Sequence, residues 1–229
     1  MDYENAVEVF YTSVLNIGDS VIDCGAHTGR HTLPMARRVG DDGHVFAFEP
    51  LPTAFSILKN TISMNSINNV TMENIALGEH EGEAQFVYVP EFPEYSGFKE
   101  RIYHDQSIKR SVINVPVKRI DRMTFNKKIR YIKIDAEGGD LIILRGAREL
   151  IYRDRPFVTF ELGDNSILKY EYNSQDYYDF FDDIKYEIYT ITGNRLNRDG
   201  LIGSSKVQNV WDYVAAPIGA DISMWPALR

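Results

Sequence analysis

Acidic residues and glycines follow several short apolar runs of the chain. In open parallel sheets, ligands bind against the carboxyl ends of the strands. If the apolar runs are strands, the residues that follow them meet at one edge of the sheet. We therefore predict a single ligand site built from Asp23 with Gly25 and Gly29, Glu49, Asp135 with Glu137, and Glu161.

The first of these stretches reads Asp-Cys-Gly-Ala-His-Thr-Gly and is a candidate cofactor loop. Its glycines let a ligand lie close to the backbone. A dinucleotide fingerprint would carry a glycine where His27 stands. Asp23 would repel a pyrophosphate but attract an ammonium group, and S-adenosylmethionine carries both an ammonium and a sulfonium. We predict that this cofactor contacts Asp23, Gly25, Ala26, His27, Thr28 and Gly29; an ordinary strand-to-helix turn is the alternative.

Two further stretches fit a nucleoside. Glu49 follows the second apolar run, about 20 residues after Gly29, where an acid can accept hydrogen bonds from both ribose hydroxyls. Its alternative is a solvated loop acid. Asn74, Ala76 and Leu77 end the third run, and small or apolar residues with one amide suit an adenine ring.

Asp135, Glu137 and Glu161 are the candidate catalytic acids. One of them could take a proton from an acceptor hydroxyl, or hold a metal that does so. The alternative for Glu137 is a helix N-terminal acid that satisfies backbone amides. The clustered acids are compatible with a divalent metal. We do not assign one, because no histidine or cysteine ligand set accompanies them.

The elements that must position these residues alternate between strand and helix. Such alternation predicts right-handed crossovers and a mostly parallel sheet with helices on both faces. A closing pair of strands joined by a loop would add an antiparallel last strand. Strands are predicted at Ser20–Cys24, His44–Phe48, 70–77, 130–134, 157–162, Tyr186–Thr190 and 209–216. Helices are predicted at about 30–39, from Pro50 or Pro52 to about Asn65, at 139–151 and after a Ser174 cap.

Two other segments complete a single domain over residues 1–229. Val7, Phe10, Tyr11 and Val14 predict a lead-in helix within residues 1–19. Strand-like residues 84–89 and 112–120 enclose a polar, tyrosine-bearing segment from 90 to about 112. A connection of this length is usually functional, and we interpret it as a lid over the acceptor.

The net charge and the residue composition limit the kinds of partner that we expect for this chain. The 229-residue chain has a formal net charge of -8, which argues against a nucleic-acid or anionic-membrane surface. Cys24 is the only cysteine, and the apolar run before it indicates a small buried residue rather than a nucleophile. No apolar stretch approaches 18 residues and no signal peptide opens the chain, so we expect a cytoplasmic protein with a small-molecule or glycan acceptor. The oligomeric state is not predicted.

Taken together, these stretches resemble the FkbM family of S-adenosylmethionine-dependent methyltransferases. Residues 20–29 resemble its cofactor motif, Phe48-Glu49-Pro50 its ribose motif, and 74–82 the stretch after its third strand. The most specific match is IDAEGGDLIILRGA at 134–147. The resemblance implies a Rossmann-like class I methyltransferase fold with a seven-stranded sheet, and O-methylation, often of sugars or secondary metabolites. His27 departs from the asparagine of many members; we favour a turn residue bonded to the backbone, with a reach toward the acceptor as the alternative.

Three rival functions remain open from the sequence. A nicotinamide oxidoreductase would share the architecture, but the first turn argues against it. The second is a module that binds the cofactor without turnover; the three candidate catalytic acids argue against it. Methylation of nucleic acid or protein is disfavoured by the negative charge and by the lack of an Asn-Pro-Pro-Tyr-like motif.

Overall fold

The computed structural model describes residues 3–92, 95–100 and 108–228 and centres on an eight-stranded sheet. The strand order is β10-β9-β11-β8-β7-β1-β2-β3. Strands β1, β2, β3, β7 and β8 pair in parallel, and β11 is antiparallel to both of its neighbours. The bounds are β1 Ser20–Cys24, β2 His44–Phe48, β3 Val70–Glu73, β7 Ile129–Ile134, β8 Phe157–Glu161, β9 Tyr186–Thr190, β10 Arg195–Leu196 and β11 Asp212–Pro217.

Helices cover both faces of the sheet. One face packs against α1, α2 and α3 through two apolar clusters, and the other packs against α4, α5 and α7 through the largest cluster. The four apolar residues that predict the lead-in helix are all buried in α1. The bounds are α1 Tyr3–Val14, α2 Thr32–Val39, α3 Pro52–Met64, α4 Asp140–Gly146, α5 Arg148–Asp154, α6 Asp164–Ile167, α7 Ser174–Asp183 and α8 Arg198–Val207.

The prediction of one strand over 70–77 is wrong. The chain leaves the main sheet after β3, and β4 Ala76–Leu77 joins a separate three-stranded sheet with β5 Gly82–Tyr88 and β6 Ser111–Lys118, in the order β4-β6-β5. Asn74 marks the break because its side-chain amide donates to the carbonyl oxygens of Glu49 and Pro50 at 2.7 and 3.0 Å. The small sheet thereby stands beside the end of β2.

The predicted helix over 139–151 is two helices, separated at Ala147. The second helix, α5, begins where the carboxylate of Asp121 accepts hydrogen bonds from the amides of Glu149 and Leu150. A side chain from another part of the chain thus caps the first turn of α5. At α7 the cap is Asn173 rather than the predicted Ser174, and Asp176 completes a capping box.

The loop predicted between the closing strands contains β10 and α8. Gly200 and Gly203 lie within α8, and their low helix propensity hides the helix from a pattern search. The short edge strand β10 raises the strand number from the predicted seven to eight. Helix α2 begins at Thr32 rather than Arg30.

The predicted lid falls partly on residues that the structure does not describe, namely 93–94 and 101–107. In the described part, Ser96 and Phe98 line the site described below. No helix among the described ranges is both long and apolar enough to cross a membrane.

Candidate active site

A cavity of about 290 Å³ opens at the carboxyl ends of β1, β2, β7 and β8. Its walls come from the first turn, the end of β2, the small sheet, the loop after β7 and the start of β11. Helix α1 adds Glu4, whose carboxylate lies 2.5 Å from the His31 ring. The predicted edge of the sheet is therefore the edge that carries a cavity.

The first turn passes very close to the loop after β7. Gly25 has a φ of 77°, and a Cβ atom placed on it would lie 1.9 Å from the backbone oxygen of Asp135. Any side chain at residue 25 would force these two segments apart. The glycine therefore serves the close packing of the cofactor loop against the candidate catalytic loop.

Glu49 is only 3% exposed and is fixed by backbone amides. Its two carboxylate oxygens accept hydrogen bonds from the amides of His27 and Leu51, each at 2.8 Å. Burial raises the pKa of Glu49 to about 7, although the Leu51 and His27 amides act in the opposite direction. Because Asn74 holds the carbonyl oxygen of Glu49, it positions this acid, and it does so from outside the cavity lining.

Asp23 is fully buried under the first turn. One of its oxygens accepts a hydrogen bond from the Thr32 hydroxyl at 2.6 Å. The other oxygen, Oδ1, has no hydrogen-bond donor among the described residues and lies 3.9 Å from the ammonium of Lys133. A buried carboxylate in this state leaves an acceptor available for a cationic ligand group.

Lys133 is a site residue that the sequence reasoning missed. It lies on β7, in register between Asp23 of β1 and Thr159 of β8, and its ammonium is 3.0 Å from Oδ2 of Asp135. Burial lowers the pKa of Lys133, but the charges of Asp135 and Asp23 outweigh it and raise the pKa above its ordinary value. The signal was a lysine inside the apolar run Ile132-Lys133-Ile134, which only an ion partner makes tolerable.

The three predicted catalytic acids do meet. Asp135, Glu137 and Glu161 each offer a carboxylate oxygen within 4.8 Å of the others. Glu137 adopts a left-handed backbone with a φ of 53°, a conformation that few non-glycine residues adopt. Lys133 already supplies a cation to Asp135, so we assign no metal to this group.

Asp140, at the start of α4, connects the two segments that carry these acids. Its carboxylate accepts hydrogen bonds from the amide of Glu161 at 2.9 Å and from the amide of Ala136 at 3.3 Å. Burial, reinforced by the negative charge of Asp135, raises the pKa of Asp140 to about 7. The residue is fully buried and acts on the site through the backbone.

Asp212 is the second residue that the sequence reasoning missed. It begins β11 and pairs directly with Glu161 across the two antiparallel strands, so both side chains lie on one face of the sheet. Both residues line the cavity. The sequence-based prediction covers acids that end a strand, whereas an antiparallel strand brings its first residue to this edge.

Most of the predicted site residues come together around the cavity. The lining includes every predicted catalytic acid and the cofactor residues Asp23, Gly25, Ala26, His27, Glu49, Pro50, Ala76 and Leu77. Thr28, Gly29 and Asn74 stand behind it. A Cβ atom placed on Gly29 would lie 3.0 Å from a methyl carbon of Leu58 in α3, and the backbone oxygen of Thr28 accepts a hydrogen bond from Thr61.

The strand order and the position of the cavity define a class I S-adenosylmethionine-dependent methyltransferase fold. A family model described as the methyltransferase FkbM domain matches residues 23–188. The chain belongs to the FkbM methyltransferase family.

Individual relatives are distant. Methyltransferase 1 of Beauveria bassiana is 23% identical over 143 residues, which cover 55% of this chain and 57% of that protein. The structure of methyltransferase FkbM from Methylobacillus flagellatus KT is 18% identical with a TM-score of 0.54, covering 86% of this chain and 43% of that one. The chain therefore spans less than two thirds of the length of either protein.

A second similar structure is a Streptococcus mutans protein of the methyltransferase class, solved in complex with S-adenosylhomocysteine (SAH). It is 11% identical with a TM-score of 0.51, and the match covers 93% of this chain and 96% of that one. Such likenesses show a shared fold.

Proposed function

We propose that this chain binds S-adenosylmethionine and transfers its methyl group to a hydroxyl oxygen of a small molecule, such as a sugar or a secondary metabolite. The observation that carries the proposal is one cavity whose lining includes two sets of residues. Glu49 and the first turn form the proposed donor end, and the acids Asp135, Glu137 and Glu161 form the proposed acceptor end. A donor and an acceptor bound in one cavity can react without leaving the protein.

The donor end suits each part of the cofactor. Glu49 is placed to accept hydrogen bonds from ribose hydroxyls. The oxygen Oδ1 of Asp23 has no donor among the described residues and would accept from the methionine ammonium. Ala76 and Leu77, both buried in the cavity wall, offer an apolar surface to the adenine ring.

The chemistry of the step is a displacement at carbon. The acceptor oxygen forms a bond to the methyl carbon as the carbon–sulfur bond breaks, and sulfur keeps the electron pair. Alignment of the two reactants supplies most of the rate gain. A hydroxyl is a weak nucleophile, so a carboxylate that accepts its proton adds to the rate. Carboxylates at the acceptor end meet this need.

Binding and turnover measurements test the proposal in two stages. Calorimetry should show that SAH binds and that NAD does not; NAD binding in place of SAH would support an oxidoreductase instead. Labelled S-adenosylmethionine is then offered with a panel of hydroxyl compounds, and the product is examined by mass spectrometry and NMR for an O-methyl group. SAH binding without transfer to any acceptor would favour the module that binds without turnover.

A further inference from the structure

We propose that Asp212 is the catalytic base that takes the acceptor proton. This inference rests on the proposed methyl transfer and assigns one role within it. Asp212 lies on the cavity wall and is paired with Glu161 on the neighbouring strand β8. Trp211, the residue before it, also lines the cavity. An acceptor bound over the acids of the sheet edge therefore has the Asp212 carboxylate beside it.

The register of the sheet places Asp212 in a row of acids. Glu161 faces Asp212 on β8, and Asp135 follows β7, the next strand of the sheet. Lys133 lies one row below, paired with Asp23 and Thr159. The row thus runs along the edge where the methyl donor and the acceptor would meet.

Competing contacts distinguish Asp212 from Asp135. The Asp135 carboxylate has the Lys133 ammonium at 3.0 Å from Oδ2, so this oxygen already has a cationic hydrogen-bond donor. Within residues 3–92, 95–100 and 108–228, no group donates a hydrogen bond to the Asp212 carboxylate. A carboxylate without such donors keeps both oxygens available to a hydroxyl.

The electrostatic surroundings agree with this role. Burial, followed by the negative charge of Asp135, raises the pKa of Asp212 to about 7, with smaller contributions from Glu4 and Asp140 and an opposing one from Lys133. Glu161 is the acid that faces it across β8. A base whose pKa lies near the working pH accepts a proton most effectively.

The step balances without any further reactant. The acceptor oxygen bonds to the methyl carbon, the sulfonium sulfur takes the electrons of the broken carbon–sulfur bond, and the hydroxyl proton passes to Asp212. SAH and the methyl ether leave, and Asp212 returns its proton to water.

The kinetic test compares Asp212→Asn with Asp212→Glu and Asp135→Asn, and uses Asp221→Asn, an exposed acid outside the cavity, as the matched control. Wild-type kcat should rise with pH, with a midpoint at or below about 7, because the base must be ionised. Asp212→Asn should lose about 10²–10⁴-fold in kcat and lose this rise, while SAH affinity stays within about twofold. Asp212→Glu should recover the pH dependence. Asp135→Asn should keep it with a midpoint at lower pH, because the Asp135 charge contributes to the raised pKa of Asp212. A wild-type rate and profile in Asp212→Asn, or loss of the pH dependence in Asp135→Asn, would overturn the proposal.

A second measurement does not depend on finding an acceptor. Carboxyl ¹³C NMR of the labelled protein, assigned with Asp212→Asn, should show Asp212 titrating near pH 7, and a lower midpoint when S-adenosylmethionine adds its sulfonium charge. A midpoint near 4 in the cofactor-free protein would contradict the role of Asp212. Failure of the wild type to bind SAH would instead contradict the proposed function, so the two failures are distinguishable.

Discussion

The ammonium of Lys133 lies 3.0 Å from a carboxylate oxygen of Asp135, and the same ammonium lies 3.9 Å from the buried Asp23. One cation on β7 thus lies near both the predicted cofactor residue Asp23 and the candidate catalytic acid Asp135. Both acids would remain as neighbouring negative charges without it. Lys133 is therefore central to the charge balance of the site.

Replacing Lys133 with methionine should destabilise the protein at neutral pH. Removing the cation from the buried Lys133–Asp23 pair costs about 3 kcal/mol, since the Asp23 charge stays out of water. The partly exposed Asp135 adds little to this cost. Urea unfolding at pH 7 measures the loss. Lys127→Met serves as the control because Lys127 is exposed and, in the part of the chain that the structure describes, donates to the backbone oxygens of Gly18 and Asp42. A Lys133→Met protein as stable as the wild type would show that the pair contributes nothing.

Replacing Glu49 with glutamine should weaken SAH binding about 10- to 100-fold, as expected for lost hydrogen bonds to a charged group. The raised pKa adds a pH dependence. Since ribose hydroxyls donate to the carboxylate, wild-type affinity should increase as pH rises through about 7, and the Glu49→Gln affinity should not. Calorimetry from pH 6 to 8 checks both effects. The exposed Glu81→Gln is the control, and equal affinities in the two variants would remove Glu49 from the cofactor site.

The stability of the cofactor-free protein should fall as pH rises from about 4 to about 7. The folded pKa of Asp140 is raised to about 7 from an ordinary 3.8, so in this window the folded state binds more protons than the unfolded state. Each such carboxyl contributes at most about 1.4 kcal/mol per pH unit. Asp140→Asn should reduce the slope of unfolding free energy against pH, whereas the exposed Asp199→Asn should leave it unchanged. An unaltered slope in Asp140→Asn would place the titration elsewhere.

Gly25→Ala should damage both folding and the site. The new Cβ would meet the Asp135 backbone oxygen at 1.9 Å, so the first turn and the loop after β7 must separate. We expect a loss of about 3 kcal/mol from strain and overpacking together. Gly219→Ala is matched in backbone, with a φ of 82° and nothing within 4 Å of its added Cβ. It should lose only about 1–2 kcal/mol; equal losses in thermal unfolding would mean that the contact with Asp135 is unimportant.

Local patterns in the sequence were enough to predict the parallel strands and the first turn. Strands β1 and β2 have the predicted bounds, because a short apolar run ended by an acid or a glycine has few other structures available. Glu49 and Asp135 directly follow two such runs, and the sequence therefore predicts both at one edge of the sheet. Patterns failed where distant contacts decided the structure, as at Asn74, whose amide binds Glu49 and Pro50 and turns the chain into a second sheet.

The sequence by itself determined the family, the central parallel strands and the acids at their carboxyl ends, because these depend on residue types at short range. Only the tertiary structure decided that Lys133 balances Asp23 and Asp135, and that Asp212 stands opposite Glu161. Both facts depend on strand register and direction. At this edge of the sheet an antiparallel strand has its first residue, where a parallel strand has its last. No residue pattern within 209–217 indicates the strands with which β11 pairs.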